Sequence, residues 1–391
     1  MQNLDIMAFS PTTWLPTSSP LTHFSSMIWS EKFFEHSEFE LRTHDVRRTM
    51  DLLPLGSLVG LRQSKEIMMV ERQVIETDDN GFELLTISGR SLTSFIEYRV
   101  IGEKRGNKYQ AMVGTNLESG LILLYNSLVN DQAWDLTTGA AAYYKNPDDA
   151  IPNLIVTDST GELSEPVVDD PSQQRWLDPG TISDPIRNFF SERPYGLRIL
   201  RPKNTVHKVS VTPTGTVSSA LTFDSPDLCL DVYVGKDRSV EQTDIAAVVF
   251  DTEVDDLITP GYSFGITNLR TEAHICLPDK AILHESESAT GLNRRVIFID
   301  AGDPEEGYNA TEWESYNVRA AGNLLEEQTR IHIVEGEVSP QSRLVFGTDY
   351  DLGDLVTVRG KYGSISKARV SEYIRAYDEN GVVNYPSLIR V

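Results

Sequence analysis

Over the first hundred residues, apolar positions alternate with polar ones in short runs. Ser37 to Thr43 sets Phe39 and Leu41 between polar neighbours, Gly56 to Leu61 continues as Ser-Leu-Val-Gly-Leu, and Ile67 to Ile75 and Phe82 to Ile87 follow. Side chains two apart share one face of a strand, so these runs predict strands with one buried face. Asp79-Asn80-Gly81 separates the last two runs, and Asn-Gly supplies the positive φ angles of a tight hairpin. Short strands at this spacing predict a small barrel or sandwich. Ahead of them, residues 1–22 hold Pro11, Pro16 and Pro20 among Ser and Thr, with Trp14 as the one large anchor. That composition predicts an extended arm, available to lie on a neighbouring subunit.

The period then changes. Leu117, Leu121, Leu124, Tyr125 and Leu128 fall on one face of a helix over 116–130. Between Pro147 and Gln174 there are seven Asp and Glu and no Lys or Arg, which predicts an exposed acidic loop or hairpin. Strand patterns return at Leu197 to Leu200, Val206 to Val211, Val217 to Phe223 and Leu228 to Val234. Val240 to Leu257 fits helix or strand, because Ile245 to Phe250 is continuously apolar. Pro278 to Ser288 is expected as a short helix and Val296 to Ile299 as a buried strand. Thr311 to Arg330 is the clearest helix, with Trp313, Tyr316, Ala320, Leu324 and Leu325 at helical spacing and Glu312 and Glu314 at the positive end of its dipole. From Ile331 to Val391 the pattern is β again, with Asp378-Glu379-Asn380-Gly381 as a turn. The order is therefore β, α-containing, β, α-containing, β.

With 391 residues the chain suits two or three domains. Charge alters the picture most: 35 basic against 58 acidic residues leave −23. Such a surface repels polyphosphate, which excludes tight DNA or RNA binding by a general basic footprint and docking on anionic lipid. Cys229 and Cys276 stand 47 positions apart without a CxxC companion, so neither a disulfide scaffold nor a Cys-rich zinc site is expected. No apolar run approaches the ~20 residues of a membrane span, and Met1 to Ser10 lacks the basic start of a secretory signal.

The motifs of nucleophilic, phosphate-binding and zinc-dependent enzymes are missing: there is no GxSxG, GxxxxGK, GxGxxG or HExxH. The seven histidines do not pair at i, i+3 or i+4. Asp349, Asp351 and Asp354 have a spacing that offers hard oxygen ligands to one cation, but the rest of a calcium loop is missing and Gly353 makes a turn there. Asp251, Asp255 and Asp256 resemble a glycosidase pair only in composition. Asn309-Ala310-Thr311 is a glycosylation sequon with no secretory context. The expectation is a protein without catalytic residues, metal or cofactor.

Several stretches in order carry a resemblance: Trp29-Ser-Glu-Lys-Phe-Phe-Glu-His-Ser-Glu-Phe-Glu-Leu41, Leu52-Leu-Pro-Leu-Gly56, Val70-Glu-Arg-Gln-Val74 and Ile87-Ser-Gly-Arg-Ser-Leu92. Later come Gly291, Leu292-Asn-Arg-Arg-Val-Ile-Phe-Ile-Asp-Ala301 and Asp349-Tyr-Asp-Leu-Gly-Asp-Leu-Val-Thr-Val358. Together they resemble a siphophage tail protein family, from about Trp29 to the last residue. Ser37 departs from it, standing where a Gly is common.

The resemblance implies a tail-tip or baseplate hub. The implied fold is α+β and predominantly β: two tube-like β-barrel domains with inserted α/β segments, similar to phage baseplate hub proteins. It implies an arm over 1–23, a first barrel over 24–105, an inserted α/β domain from 106–195 and 237–324, and a second barrel from 196–236 and 325–391. It further implies a homotrimer in the virion, synthesised in the host cytoplasm and meeting a distal tail or tail tube ring, the tape measure protein, and tail fibres or spikes. DNA would pass its channel unbound, and an acidic wall would suit that passage. The rival expectations are a receptor- or glycan-binding adhesin and a cell-wall hydrolase.

Overall fold

The computed structural model describes residues 4–11, 15–17, 20–99, 110–112, 151, 154–158, 175–177, 181, 183, 195–201, 206–212, 215–221, 228–286, 288–304, 309–328, 331–361 and 363–391. The first unit comprises β1 (Ile6–Phe9), β2 (Ser26–Lys32), β3 (Glu38–Thr43), α1 (Val46–Leu52), β4 (Leu58–Leu61), β5 (Ile67–Thr77) and β6 (Glu83–Ser91). Phe39 and Leu41 point inward with Trp29, Met27, Leu85 and Ile87. β5 and β6 form the hairpin expected at Asn80-Gly81, with Gly81 at φ 84° and Thr77 opposite Glu83.

The strands run β1-β4-β5-β6-β3-β2. β1 and β2 are not neighbours in that order, yet Ile6 and Trp29 enter one core, so the sheet curls around it. Among the described residues no hydrogen bonds join the two ends, so the expected closed barrel is a curled open sheet. The segment expected as an outlying arm lies within this unit. β1 pairs with β4, Leu21 and Pro16 bridge back to Ile6 and Phe9, and Leu21 is buried. The reason is apolar content: Leu4, Ile6, Ala8 and Leu21 are worth more inside than on water.

Seven more short strands follow, with most of the inserted chain between them outside the described residues. β7 (Gln110–Met112) pairs with β9 (Arg175–Leu177); β8 (Leu154–Asp158), β10 (Tyr195–Leu200), β11 (Val206–Thr212), β12 (Gly215–Leu221) and β13 (Leu228–Val234) form a sheet ordered β10-β13-β8-β11-β12. The expected helix over 116–130 lies outside the described residues, as does most of the acidic stretch 147–174, of which Leu154–Asp158 is β8.

The remaining strands are β14 (Val249–Asp251), β15 (Leu257–Gly265), β16 (Glu272–Cys276), β17 (Ala281–Glu285), β18 (Val296–Asp300), β19 (Ile331–Val338), β20 (Leu355–Arg359), β21 (Ile365–Asp378) and β22 (Gly381–Arg390). β21 joins the first unit to the last. Its second half, Glu372 to Tyr377, pairs with β2; its first half, Ile365 to Arg369, pairs with β20; β22 covers its other edge. Where β2 gives way to β20, Phe33 N donates to Ser371 O at 2.8 Å and Gly353 N to Val370 O at 2.8 Å. A second core of Phe33, Phe250, Leu257, Tyr350, Val356 and Val370 forms there.

Of the stretch expected to group with 325–391, β10 to β13 lie in the sheet of β8, while Tyr233 enters the second core and Lys236 bonds Asp354; that core also takes Val248, Phe250 and Leu257 from the stretch expected in the insertion. Within Val240 to Leu257 neither a long helix nor a long strand forms. The Gln242 side chain binds Ser239 O and Ile245 O and accepts from Asp244 N and Ile245 N, so local bonds displace regular ones.

β15 and β19 form a two-stranded ribbon. Between their ends hangs a lobe of β17-β16-β18 and a helix α2 (Ala310–Glu327), with Ala273, Ile275, Ala321 and Leu325 as its core. Pro278 to Ser288, expected as a short helix, supplies β17, because the turn Leu277 N to Lys280 O sends the chain back along β16. β18 is a strand as expected, but its residues are alternately exposed and half-buried rather than buried. α2 is the expected helix. Asn309 caps it by accepting from Thr311 N and Glu312 N at 3.0 Å each, and Glu312 returns a bond to Asn309 N. The sequon asparagine is thus a helix cap.

Candidate functional site

The three aspartates at 349, 351 and 354 do not converge. Asp349 accepts from Val345 N at 2.8 Å, and Asp351 from Leu352 N at 2.9 Å. Buried Asp354 accepts from Lys236 N at 2.7 Å, Arg238 Nε at 2.8 Å and Asp351 N at 3.0 Å. Gly353, at φ 86°, turns the chain so closely past Phe33 that an added Cβ would lie 2.3 Å from the ring. Tyr350 packs edge-on against Phe250 and Phe346, and burial pushes its hydroxyl pKa up. This Tyr-Asp-Leu-Gly-Asp turn is a structural junction. Among the described residues no group of three or more His, Cys, Asp or Glu is arranged to hold a metal.

In the second acidic group Asp251 and Asp256 are also internally engaged, while Asp255 is exposed and turns the chain at φ 59°. Asp251 caps a short turn through Glu253 N at 2.9 Å and meets Arg359 at 3.3 Å; Asp256 accepts from Ser342 Oγ at 2.8 Å and from Asp251 N at 3.3 Å. Of the histidines, His36 bonds Thr93 and Glu97, and His44 bonds Ser25 and Asp78. Cys229 and Cys276 are not joined in a disulfide.

Two surfaces remain. The outward face of the first sheet holds a hollow of about 470 Å³ lined by Ile28, Glu38, Glu40, Glu71, Arg72 and Arg90 among others. Arg90, from the Ser-Gly-Arg stretch, forks onto Glu71 at 2.8 and 3.1 Å and reaches Glu97 at 2.7 Å. The bonds to Glu71 lead in raising its pKa. Neighbouring Gly89 is required because an added Cβ would meet Met69 O at 1.7 Å. The hollow carries three carboxylates against two guanidiniums, a surface that offers a polyanion no net attraction.

The other surface is the face of the lobe turned away from α2. Leu283 and Phe298 flank His274 in one row, both more than half exposed, and Leu292, at the preceding turn, is 98% exposed. The Arg-Arg stretch beside it is structural on the inner side: Arg294 ion-pairs with buried Glu272, and Arg295 N donates to Thr271 Oγ1 at 2.9 Å.

These motifs span the chain, and residues 19–385 match the family model described as Siphovirus ReqiPepy6 Gp37-like protein. The chain belongs to that family. The resemblance read from the motifs, to a siphophage tail protein family, is borne out. No curated protein matches the sequence. Among solved structures, the chain is similar to the 43 kDa tail protein of prophage MuSo2 from Shewanella oneidensis. The TM-score is 0.56 and the identity 10%, covering 100% of this chain and 98% of that one. It is also similar to a tail protein from Neisseria meningitidis MC58, with TM-score 0.51 and 9% identity over 99% and 97% of the two chains. At these identities the likeness shows a shared fold. Arg238, which fixes Asp354, and the buried Glu31 and Glu66 stand beside polar neighbours in the sequence, and no local pattern marks them.

Proposed function

We propose that this member of the Gp37-like family is a structural protein of a siphophage tail tip, acting as a trimeric hub between the distal tail ring and the tip. The carrying observation is a fold likeness that runs the whole length of both this chain and a prophage tail protein. Support also comes from the acidic candidates, which are engaged in turns and ion pairs, and from the exposed apolar row of the lobe, a feature of proteins that work in assemblies. On this reading the neighbours are the tail tube ring, the tape measure protein and fibres or spikes, and the chain resides in the virion. DNA leaves along an acidic wall without adhering, since each basic contact would bind phosphate and release counterions.

The test is the mass of the purified protein by light scattering, alone and with its neighbouring tail proteins. A trimer, or a ring formed on a hexameric partner, is expected. A protein that stays monomeric under both conditions sinks the hub.

A further inference from the structure

The 64–66 segment of the first unit grips the end of β10. Glu66 bridges to Leu200, Arg201 N donates to Lys65 O at 2.9 Å, Arg201 Nη2 donates to Ser64 O at 3.3 Å, and the Arg201 guanidinium lies 4.3 Å from the centre of the Phe9 ring. The Glu66 carboxyl is buried beside this seam, with the residue 4% exposed. Every charged neighbour of Glu66 is already engaged. From β2, Glu31 is bound by Arg375 of β21. From β10, Arg198 bonds Asp231 of β13 at 3.1 Å and lies 3.8 Å over the Tyr233 ring. Arg369, further along β21, donates to Gly353 O at 2.8 Å. Asp351 adds another carboxylate from the exposed rim, and Tyr233 is a buried phenol. Glu31 and Asp231 each have a guanidinium partner, Arg375 and Arg198, whereas Glu66 meets the Ser37 hydroxyl.

We propose that Glu66 is a proton-controlled latch: protonated, it closes the seam between the first unit and β10, and losing the proton loosens that seam. The surroundings of the carboxyl agree with this: it is buried, and the neighbouring guanidiniums are taken by Glu31 and Asp231. Burial first, and then the nearby Glu31, push the Glu66 pKa up from 4.5 to about 8.

The sign follows from linkage. When the seam opens, Glu66 meets water and regains its ordinary pKa, so opening releases a proton. The seam is firmest below pH 4.5, and its hold falls as pH rises toward 8, above which it levels off. The opening constant should rise about tenfold per pH unit within that window.

Hydrogen exchange of the 195–201 segment in the full chain, corrected for intrinsic base catalysis, reads this directly. From pH 5.5 to 7.5 the wild type is expected to lose protection by roughly a hundredfold and to level off near pH 8. Glu66→Gln should be flat over that range. Ser37→Ala removes a bond that favours the charged carboxyl and should move the levelling point to higher pH, a readout that survives if Glu66→Gln fails to fold. A wild-type profile flat in pH, the same slope in Glu66→Gln, or an unmoved levelling point in Ser37→Ala would each overturn the latch.

Discussion

Asp354 shows what one side chain contributes. It is buried with Arg238 as its ion partner, and it also receives two backbone N–H groups. Removing one member of a buried pair strands the other, so Asp354→Ala should cost about 3 kcal/mol in urea unfolding. Gly353 beside it offers a comparison with Gly81. Both have positive φ, but only Gly353 abuts a ring. Gly353→Ala should therefore lose about 3 kcal/mol and Gly81→Ala about 1 kcal/mol, compared by the same unfolding curves. Equal losses would mean that Phe33 yields freely and that the junction is not close-packed.

Among elements, α2 and the two hairpins are the most dependent on local chemistry, and these were legible in the sequence. Asn-Gly at 80–81 and 380–381 fixed the turns, and Asn309 with Glu312 wrote the start of the helix. Asn309→Ala should cost about 1 kcal/mol and raise exchange in the first turn of α2 before the rest of the lobe, measured by mass spectrometry. What was not legible depends on partners far along the chain. β17 reads as a helix until β16 is placed beside it, and Val240 to Leu257 stays ambiguous until Gln242 is seen bonding its neighbours' backbone. The candidate sites followed the same rule. Spacing brought Asp349, Asp351 and Asp354 to notice, but only Arg238, 116 positions from Asp354, shows that the last is a structural ion. Glu66 carried no signal, because a buried carboxyl looks like any other Glu until Glu31 and Arg198 surround it.

For the whole molecule, two properties set behaviour. The net charge of −23 predicts no retardation of duplex DNA in a gel at low salt; a shift that vanishes as salt is raised would reveal a hidden basic path and contradict the acidic wall. The lobe on the β15–β19 ribbon has its own core and enters and leaves at paired positions, Gly265 opposite Ile331. Replacing 266–330 by a short turn should leave the two remaining cores folded, with an unchanged cooperative transition by circular dichroism.

β21 has a consequence for how the chain is made. β2 is finished by residue 32, yet the strand that pairs with its free edge begins at residue 365, so a ribosome must add more than three hundred residues before that edge is covered. Throughout that interval a strand edge holding Trp29 stands open to other nascent chains, which makes synthesis, more than the finished fold, the stage most exposed to mispairing.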